Sequence, residues 1–401
     1  MKKTIGVVGC TTTTAHGRDQ FERLAVEAAR RGVELVGLDL SSSLDSSADR
    51  VVAGRYVILS SLDEDGLAAA TREATEIDAF LTTREAFVPA VAGLAAITET
   101  PGNSVAAIET MRHKDQCRRV FAAAGLPQPS SFLVQDESPF GLSDRLRGLG
   151  DPQWIVKPQI GTGSEGVVQA DTAVEVAEAI EATCVPTLVE AFVHGREMSV
   201  EGVFVNGRPE ILSVTDKAIA GSFVECAHRA PAVLTPQERS SIDSTVVTGL
   251  TALGLTRGIV HVELWVTSDG SVVLGEAHAR PGGDFIHALV EETRPGLELY
   301  GMLIDDLLDR PSIPVPPQTR YAGVRYLLLP EGVVSRVRAS APSDSRIVRT
   351  ALDIKAGSVV RPVHASSDRS GVFVAVADDP AEVEAALDAA LAGVVVDWVD
   401  A

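Results

Sequence analysis

The sequence lacks the features that several classes of protein require. Its four cysteines are far apart and show no CxxC spacing, which excludes a disulfide framework or a zinc knuckle and favours a reduced, cytoplasmic protein. No apolar run reaches the ~18 residues of a membrane span, and the short apolar run after the two N-terminal lysines does not resemble a signal peptide. We therefore expect no association with a membrane.

Positive charge is also scarce. The chain has 35 lysines and arginines against 55 aspartates and glutamates, which gives a net charge of −20. Nucleic-acid-binding proteins usually carry a basic face, so this balance argues against nucleic acid as a partner. A small phosphorylated ligand is still compatible with it, because a local group of lysines and arginines can bind phosphate within an acidic protein.

The sequence does contain the pattern of an α/β protein. Its 401 residues are enough for two or three domains, and 45% hydrophobic residues indicate a well-packed globular protein. Strands at Thr4–Cys10 and Val33–Leu40 flank a helix at Arg18–Arg31, which predicts a parallel βαβ unit. We expect domains at 1–105, 106–312 and 318–401, the last one preceded by a proline-rich joint at 311–317. Further predicted elements are a helix at Met111–Ala124, strands at Trp154–Lys157 and Thr187–Phe192, a helix opened by a Thr172-x-x-Glu175 capping box, a hairpin turn at Asn206-Gly207 and a helix at Pro380–Ala392.

A second hairpin carries two acidic residues that need a counter-charge. Asp269-Gly270 predicts a two-residue turn, because both positions tolerate positive φ. Positions that sum to 539 then lie opposite each other, so Glu263 faces Glu276 and their charges repel. A hard divalent cation such as Mg²⁺, which prefers oxygen ligands, would relieve this repulsion. The alternative is a pair of solvated acids in an imperfect register.

Arg280 follows Glu276 on the same face of the second strand and precedes Pro-Gly-Gly. The planar guanidinium group matches carboxylate and phosphate oxygens in a bidentate way. Gly282 and Gly283 allow a ligand to approach the backbone closely. The segment therefore predicts an anion site beside the metal site, a combination that suggests nucleotide chemistry.

Lys157 ends a predicted strand and is followed directly by a glycine-rich loop. Glycines let backbone N–H groups approach phosphate oxygens, and the lysine adds a point charge. The loop is not a Walker motif, because its lysine precedes the glycines, and an ordinary hairpin loop is the alternative. The candidate phosphate-binding residues of the loop are Gly161, Thr162, Gly163, Ser164 and Gly166.

Glu190 and Glu197, at the end of the next predicted strand, could hold a ribose or an adenine edge. Taken alone, the segment is better explained as the end of a surface strand with ordinary acids. Lys114, on a predicted helix, is equally unremarkable in isolation.

Taken in order, these pieces resemble the ATP-grasp superfamily over essentially the whole chain. The resemblance implies an ATP-grasp fold with a Rossmann-like first domain, a two-lobed central domain and a small C-terminal α/β subdomain. It also implies ATP and Mg²⁺ (or Mn²⁺) as cofactors, with Lys114 and Lys157 on the nucleotide phosphates and the glycine loop folded over them. The residues that it places around adenine and ribose are Glu190, Ala191, Val193 and Glu197, and the metal ligands that it implies are Glu263 and Glu276.

Within the superfamily, the chain is most similar to L-amino-acid ligases of the bacilysin-synthetase type. The segment 223–231 resembles their substrate segment, in which an acid and a histidine three residues later line the amino-acid pocket. The resemblance gives these roles to Glu225 and His228 and places Glu85 of the first domain at the border of the pocket. We also expect Lys217 to belong to the nucleotide site, and the loop around it to close and exclude water. Arg280, Gly282 and Gly283 complete the expected substrate site.

The implied activity is an ATP-dependent carboxylate–amine ligase that forms an amide or peptide bond through an acyl phosphate. Its partners would be a small-molecule carboxylate and an amine, and ligases of this type are commonly homodimers. One position departs from the family pattern: His278 stands where asparagine is usual. Two roles are open for it, a metal ligand or a phosphate contact. A zinc site on His261 and His278 lacks a third soft ligand at suitable spacing.

Three alternative functions are open from the sequence. One is an ATP-grasp carboxylase or nucleotide-biosynthetic ligase with a different nucleophile. Another is a nucleotide-binding sensor without catalysis, which the complete set of lysines, acids and Arg280 disfavours. The third is an oxidoreductase that uses the turn at 6–9, and the incomplete GxGxxG pattern argues against it.

Overall fold

The structure is a computed structural model that describes residues 2–44, 49–50, 55–72, 76–135, 141–150, 153–183, 186–220, 223–339 and 344–399. Cys184 lies outside the described residues, and the other three cysteines are free thiols. Within the described ranges, no helix is both long and apolar enough to cross a membrane.

The N-terminal region is built on a parallel four-stranded sheet. The predicted βαβ unit is confirmed, because the first and third strands pair in parallel. The first strand ends two residues earlier than predicted, and the helix begins at Ala15 because the Thr14 hydroxyl caps it. The elements of the region are β1 (Thr4–Val8), β2 (Thr11–Thr12), α1 (Ala15–Arg30), β3 (Glu34–Leu40), α2 (Ser41–Leu44), β4 (Asp49–Arg50), β5 (Tyr56–Leu59), α3 (Glu64–Thr71), β6 (Ala79–Leu81), a 3₁₀ turn (Glu85–Phe87) and α4 (Val88–Thr98).

The predicted helix at Met111–Ala124 is wrong, because two helices meet there. His113 adopts an extended conformation (φ −85°, ψ 101°) between α5 (Val105–Arg112) and α6 (Lys114–Ala123). The break makes Lys114 the first residue of α6.

A small antiparallel sheet follows, in which β10 lies between β7 and β8. The capping box is confirmed, because Thr172 and Glu175 exchange backbone-to-side-chain hydrogen bonds. The elements are β7 (Ser131–Val134), α7 (Leu142–Leu149), β8 (Trp154–Pro158), β9 (Val168–Ala170), α8 (Ala173–Thr183) and β10 (Thr187–Ala191).

An eight-stranded sheet forms the larger lobe, in the order β15-β14-β11-β12-β13-β16-β20-β18. The predicted turn at Asn206-Gly207 is confirmed, since both residues have positive φ and join β11 to β12. Three strands that follow the proline-rich segment 311–317 belong to this sheet. The sheet therefore extends across the expected domain boundary. The domain bounds themselves stay a prediction. The elements are β11 (Gly195–Val205), β12 (Arg208–Ala220), β13 (Val224–Ala230), α9 (Pro236–Ala252), β14 (Ile259–Thr267), β15 (Val272–His278), α10 (Ile286–Glu292), α11 (Leu299–Leu307), β16 (Tyr321–Tyr326), β17 (Gly332–Ala339), β18 (Ile347–Leu352), β19 (Val359–Val360), a 3₁₀ turn (Ser366–Asp368), β20 (Gly371–Ala377), α12 (Pro380–Ala392) and β21 (Val394–Trp398).

The hairpin of β14 and β15 differs from its predicted register. Its loop has three residues, 268–270, of which only Gly270 has positive φ (82°), so the two-residue turn is wrong. A bulge restores the expected pairing of His261 with His278. The bulge is formed by Gly275 and Glu276 of β15, and Glu263 lies opposite these two residues instead of pairing with Glu276 alone.

Helices cover both faces of the large sheet. Phe121 of α6 and Val246 of α9 pack with Leu264 of β14 on one side. On the other side, Tyr300 of α11 belongs to a core cluster that also contains Ile5 of β1. This shared core joins the N-terminal region to the sheet that carries Glu263 and Glu276.

Candidate active site

A cavity of about 1030 Å³ lies among the N-terminal region, the small sheet and the large sheet. Most of the predicted site residues line it. Those that do are Glu85, Lys114, Lys157, Gly161, Thr162, Gly163, Ser164, Glu190, Ala191, Val193, Glu197, Lys217, Glu225, Glu263, Glu276, His278, Arg280 and Gly283.

Three predicted residues lie outside the cavity lining. Gly166 has φ +71° and would bring a Cβ atom to 3.1 Å from Pro158. His228 is buried, and its Nε2 atom lies 3.4 Å from Asp284. A Cβ atom at Gly282 would lie 3.0 Å from the Glu201 carboxylate, so the glycine permits close packing there. All three can support the lining without touching a ligand.

Glu190 holds Lys157 in place. The Lys157 ammonium lies 2.7 Å from the Glu190 carboxylate, and both residues are buried. Arg118 donates two further hydrogen bonds to Glu190, at 3.0 and 3.1 Å, and another to the carbonyl of Leu274. Burial raises the pKa of Glu190, but Arg118 and Lys157 outweigh it and lower that pKa to about 2. Glu190 is therefore an ionised anchor for Lys157, which makes the surface-acid alternative wrong.

Arg118 is a site residue that the sequence interpretation missed. It lies four residues after Lys114 on α6, so the two side chains project from one face of the helix. That spacing is the signal that could have identified it. Arg118 links the small sheet to β15 of the large sheet through Glu190 and the Leu274 carbonyl.

The two predicted phosphate-binding lysines converge on Glu276. The ammonium nitrogen of Lys114 lies 3.4 Å from the carboxylate, and that of Lys157 lies 3.9 Å away. Lys114 also donates to the carbonyl of Gly161 at 3.0 Å, which ties α6 to the glycine loop. The lysines, the loop and one candidate metal ligand thus share a single part of the cavity.

Around Glu263, three carboxylates share one lysine. The buried Lys217 ammonium lies 2.8 Å from Glu263, 2.9 Å from Glu225 and 3.4 Å from Glu197. Burial opposes the charge of Lys217, but the three acids together raise its pKa well above the usual value. The excess of negative charge and the oxygen donors fit a hard divalent cation.

The two histidines of the hairpin are held by different acids. His261 Nδ1 lies 2.7 Å from Glu201, and His278 Nδ1 lies 2.9 Å from Glu85, with the two rings stacked 5.7 Å apart. Although burial lowers the pKa of His261, Glu201 and Glu263 raise it to about 9. The other ring nitrogen of His278 lies 3.8 Å from Glu276, at the edge of the candidate metal site.

Glu85 reaches Arg280 from the 3₁₀ turn after β6. Its Oε2 atom accepts a hydrogen bond from the Arg280 Nε atom at 2.9 Å. Burial raises the pKa of Glu85, yet His278 and Arg280 hold it far below the ordinary range. The carboxylate is therefore ionised and fixes the guanidinium at the junction between the N-terminal region and the large sheet.

Arg369, Asp284 and Tyr326 also line the cavity and were not predicted from the sequence. Arg369 donates to both oxygens of Asp284, at 2.6 and 2.7 Å, and stacks 3.5 Å from the centre of the Tyr326 ring. It also donates to the carbonyl of Glu225 at 3.0 Å. No local pattern marks Arg369 in the sequence, because β16 and β20 must first join the sheet.

Comparisons with known proteins agree with this geometry. Residues 152–288 match the family model of the ATP-grasp domain, and residues 325–399 match L-amino acid ligase C-terminal domain 2. A probable alpha-L-glutamate ligase of Thioalkalivibrio sulfidiphilus is 29% identical over 230 residues, which cover 56% of this chain and 71% of the relative. One of Legionella pneumophila is 26% identical over 228 residues, which cover 55% and 70%.

Solved structures show the same fold over the full length. The L-amino acid ligase from Bacillus licheniformis has a TM-score of 0.83 at 22% identity, covering 100% of this chain and 99% of its own. A carboxyaminoimidazole ribonucleotide synthase from Aspergillus clavatus, complexed with ATP, has a TM-score of 0.73 at 18% identity, covering 98% of each chain. The resemblance to the ATP-grasp superfamily and the predicted fold are confirmed. Residues 152–288 thus carry an ATP-grasp domain and residues 325–399 an L-amino acid ligase C-terminal domain 2, within a fold that matches a solved L-amino acid ligase along its full length.

Proposed function

We propose that the protein is an ATP-dependent ligase that joins an amino-acid carboxylate to an amine and releases ADP and phosphate. The observation that carries this proposal is the placement of Arg280 in the same cavity as two lysines and the acids around Glu263 and Glu276. A nucleotide-binding protein without catalysis needs the lysines. It does not need an arginine fixed by Glu85 beside a candidate metal site.

Lys114, Lys157 and the glycine loop would bind the phosphates of ATP, and their joint position at Glu276 supports that role. Glu263 and Glu276 would hold Mg²⁺, with His278 beside Glu276 as a metal ligand or a phosphate contact. A bound Mg²⁺ neutralises charge on the transferred phosphoryl group. Lys217, which lies 2.9 Å from Glu225 and 3.4 Å from Glu197, would balance the charges of these two acids.

In the proposed reaction, a carboxylate oxygen of the first substrate attacks the γ-phosphorus of ATP, and ADP leaves. The neutral amine then attacks the carbonyl carbon of the acyl phosphate, and phosphate leaves as the C–N bond forms and the amine loses a proton. Arg280 would stabilise the acyl phosphate and the tetrahedral oxyanion. Closure of the glycine loop and of the segment around Lys217 would exclude water, which otherwise hydrolyses the acyl phosphate.

The test is ADP release with a mixture of the common L-amino acids, followed by mass detection of products. We expect ADP and phosphate in equal amounts, only when amino acids are present, together with dipeptide masses. Release that requires bicarbonate in place of an amine would instead identify a carboxylase. Nucleotide binding without release under any of these conditions would identify a sensor and contradict the proposal.

Assembly and location are separate proposals. We infer a homodimer, which sedimentation of the purified chain can test, and a cytoplasmic location, in line with the free thiols.

A further inference from the structure

One cavity-lining arginine has no acidic partner. Within the described ranges, the other lysines and arginines of the lining each lie at salt-bridge distance from a carboxylate. Arg84 instead donates to the carbonyl of Thr11 at 3.0 Å and stacks on the Phe87 ring at 4.9 Å. Among the described residues, no carboxylate lies at salt-bridge distance from its guanidinium, although the arginine lines a cavity in an acidic protein.

The N-terminus of α1 follows closely after the residue that Arg84 contacts and lines the same cavity. Arg84 is bonded to Thr11, and the following residues 12–17 line the cavity. The helix has 16 residues, and the Thr14 hydroxyl accepts from the amide of Gly17 at 3.1 Å. The amides of such a terminus carry partial positive charge and favour anions. His16 in this turn adds no charge at neutral pH, because burial lowers its pKa to about 4.

Thr83 provides an independent sign of a missing ligand. It is 5% exposed and lines the same cavity, yet its hydroxyl has no hydrogen-bond partner among the described residues. Buried hydroxyl groups are ordinarily paired, because an unpaired one costs desolvation energy. A ligand anion beside Arg84 would give the hydroxyl an acceptor.

The position of this group relative to Arg280 indicates which substrate it would hold. Arg84 precedes Glu85, whose carboxylate accepts from Arg280 at 2.9 Å, and adjacent Cα atoms are about 3.8 Å apart. An anion bound at Arg84 would lie in the cavity that also contains Arg280, where the acyl phosphate is proposed to form, at the wall contributed by the N-terminal region.

We propose that Thr83, Arg84 and the N-terminus of α1 form a carboxylate subsite, which holds the amine substrate by its own carboxylate. The inference rests on the proposed ligase function and makes it more specific, since the amine substrate becomes an amino acid and not ammonia or a simple amine. The Asp39 carboxylate accepts from the amide and hydroxyl of Thr11 and so fixes the strand to which Arg84 is bonded.

The test is a competition in one reaction. The purified full-length chain receives ATP, Mg²⁺ and an equimolar mixture of the common L-amino acids and their C-terminal amides, and mass detection separates dipeptides from dipeptide amides. Amino-acid amides and free amino acids differ in the intrinsic reactivity of their amines. The readout is therefore the change in the ratio of dipeptide to dipeptide amide between the variant and the wild type. We expect Arg84→Gln to lower the ratio of dipeptide to dipeptide amide by about tenfold to a hundredfold.

Matched variants separate this result from a loss of folding. Thr83→Val preserves side-chain volume and should lower the ratio less than Arg84→Gln, while Arg84→Lys retains the charge and should keep part of the preference. Arg239→Gln, on α9 and paired with Asp243, should leave the ratio unchanged. An unchanged ratio in both Arg84→Gln and Thr83→Val overturns the subsite while the ligase function stands. Absence of ADP release in the wild type overturns both.

Discussion

Replacement of Arg280 by alanine is expected to lower kcat by about 10²–10³-fold and to change the affinity for ATP little. The guanidinium group is fixed by Glu85 at 2.9 Å, and Arg280 lies two residues after the end of β15, the strand that carries Glu276. Its charge would be used when negative charge develops on the acyl phosphate and the tetrahedral oxyanion. The nucleotide is expected to contact Lys114 and Lys157 instead, so its binding should survive.

Kinetics on the Arg280→Ala enzyme measure this split, with kcat from ADP release and affinity from titration with ATP in the absence of amino acids, where no turnover is expected. Arg320→Ala, a change at an exposed arginine paired with Asp378, is the matched control and should retain wild-type turnover. Near-normal turnover in Arg280→Ala would remove the residue from the chemical step. A loss of ATP affinity that matched the loss of kcat would place Arg280 on the nucleotide.

Glu276→Gln is expected to lower kcat by about 10³-fold and to raise the Mg²⁺ concentration needed for half-maximal rate. The substitution keeps the shape of the side chain and removes one anionic ligand of the proposed metal. It also takes the counter-charge from Lys114 and Lys157, which lie 3.4 and 3.9 Å from the carboxylate. The rate should therefore fall even when Mg²⁺ is saturating.

The decisive measurement for Glu276 is the rate as a function of Mg²⁺ concentration. Glu178→Gln makes the same chemical change at an exposed position of α8 and should reproduce the wild-type curve. Circular dichroism checks that both variants are folded. If Glu276→Gln keeps the wild-type Mg²⁺ dependence, Glu276 is not a metal ligand.

Features that depend on local sequence were predicted well. The Thr172-x-x-Glu175 capping box and the Asn206-Gly207 turn are formed by residues adjacent in the chain, so their geometry follows from their own hydrogen bonds and φ preferences. The order of lysine, glycine loop and acids was sufficient to identify the superfamily. The roles assigned to the individual site residues stay predictions.

The local sequence was not sufficient to predict the register of the β14–β15 hairpin or the contact of three carboxylates with Lys217. The third loop residue, Ser268, and the bulge at Gly275 and Glu276 compensate each other. His261 and His278 therefore pair as predicted, although the predicted two-residue turn does not form. The three acids around Lys217 come from β11, β13 and β14, which meet only in the assembled sheet. Arg369 depends in the same way on the joining of the C-terminal strands to the large sheet.

The central claim is that a carboxylate oxygen attacks the γ-phosphorus of ATP. The most direct measurement uses L-amino acids labelled with oxygen-18 in the carboxylate, with ATP unlabelled, and analyses the released phosphate by mass spectrometry. Transfer through an acyl phosphate predicts one labelled oxygen in each phosphate released with amide formation. Unlabelled phosphate beside labelled AMP, or unlabelled phosphate with product formed, would contradict the account.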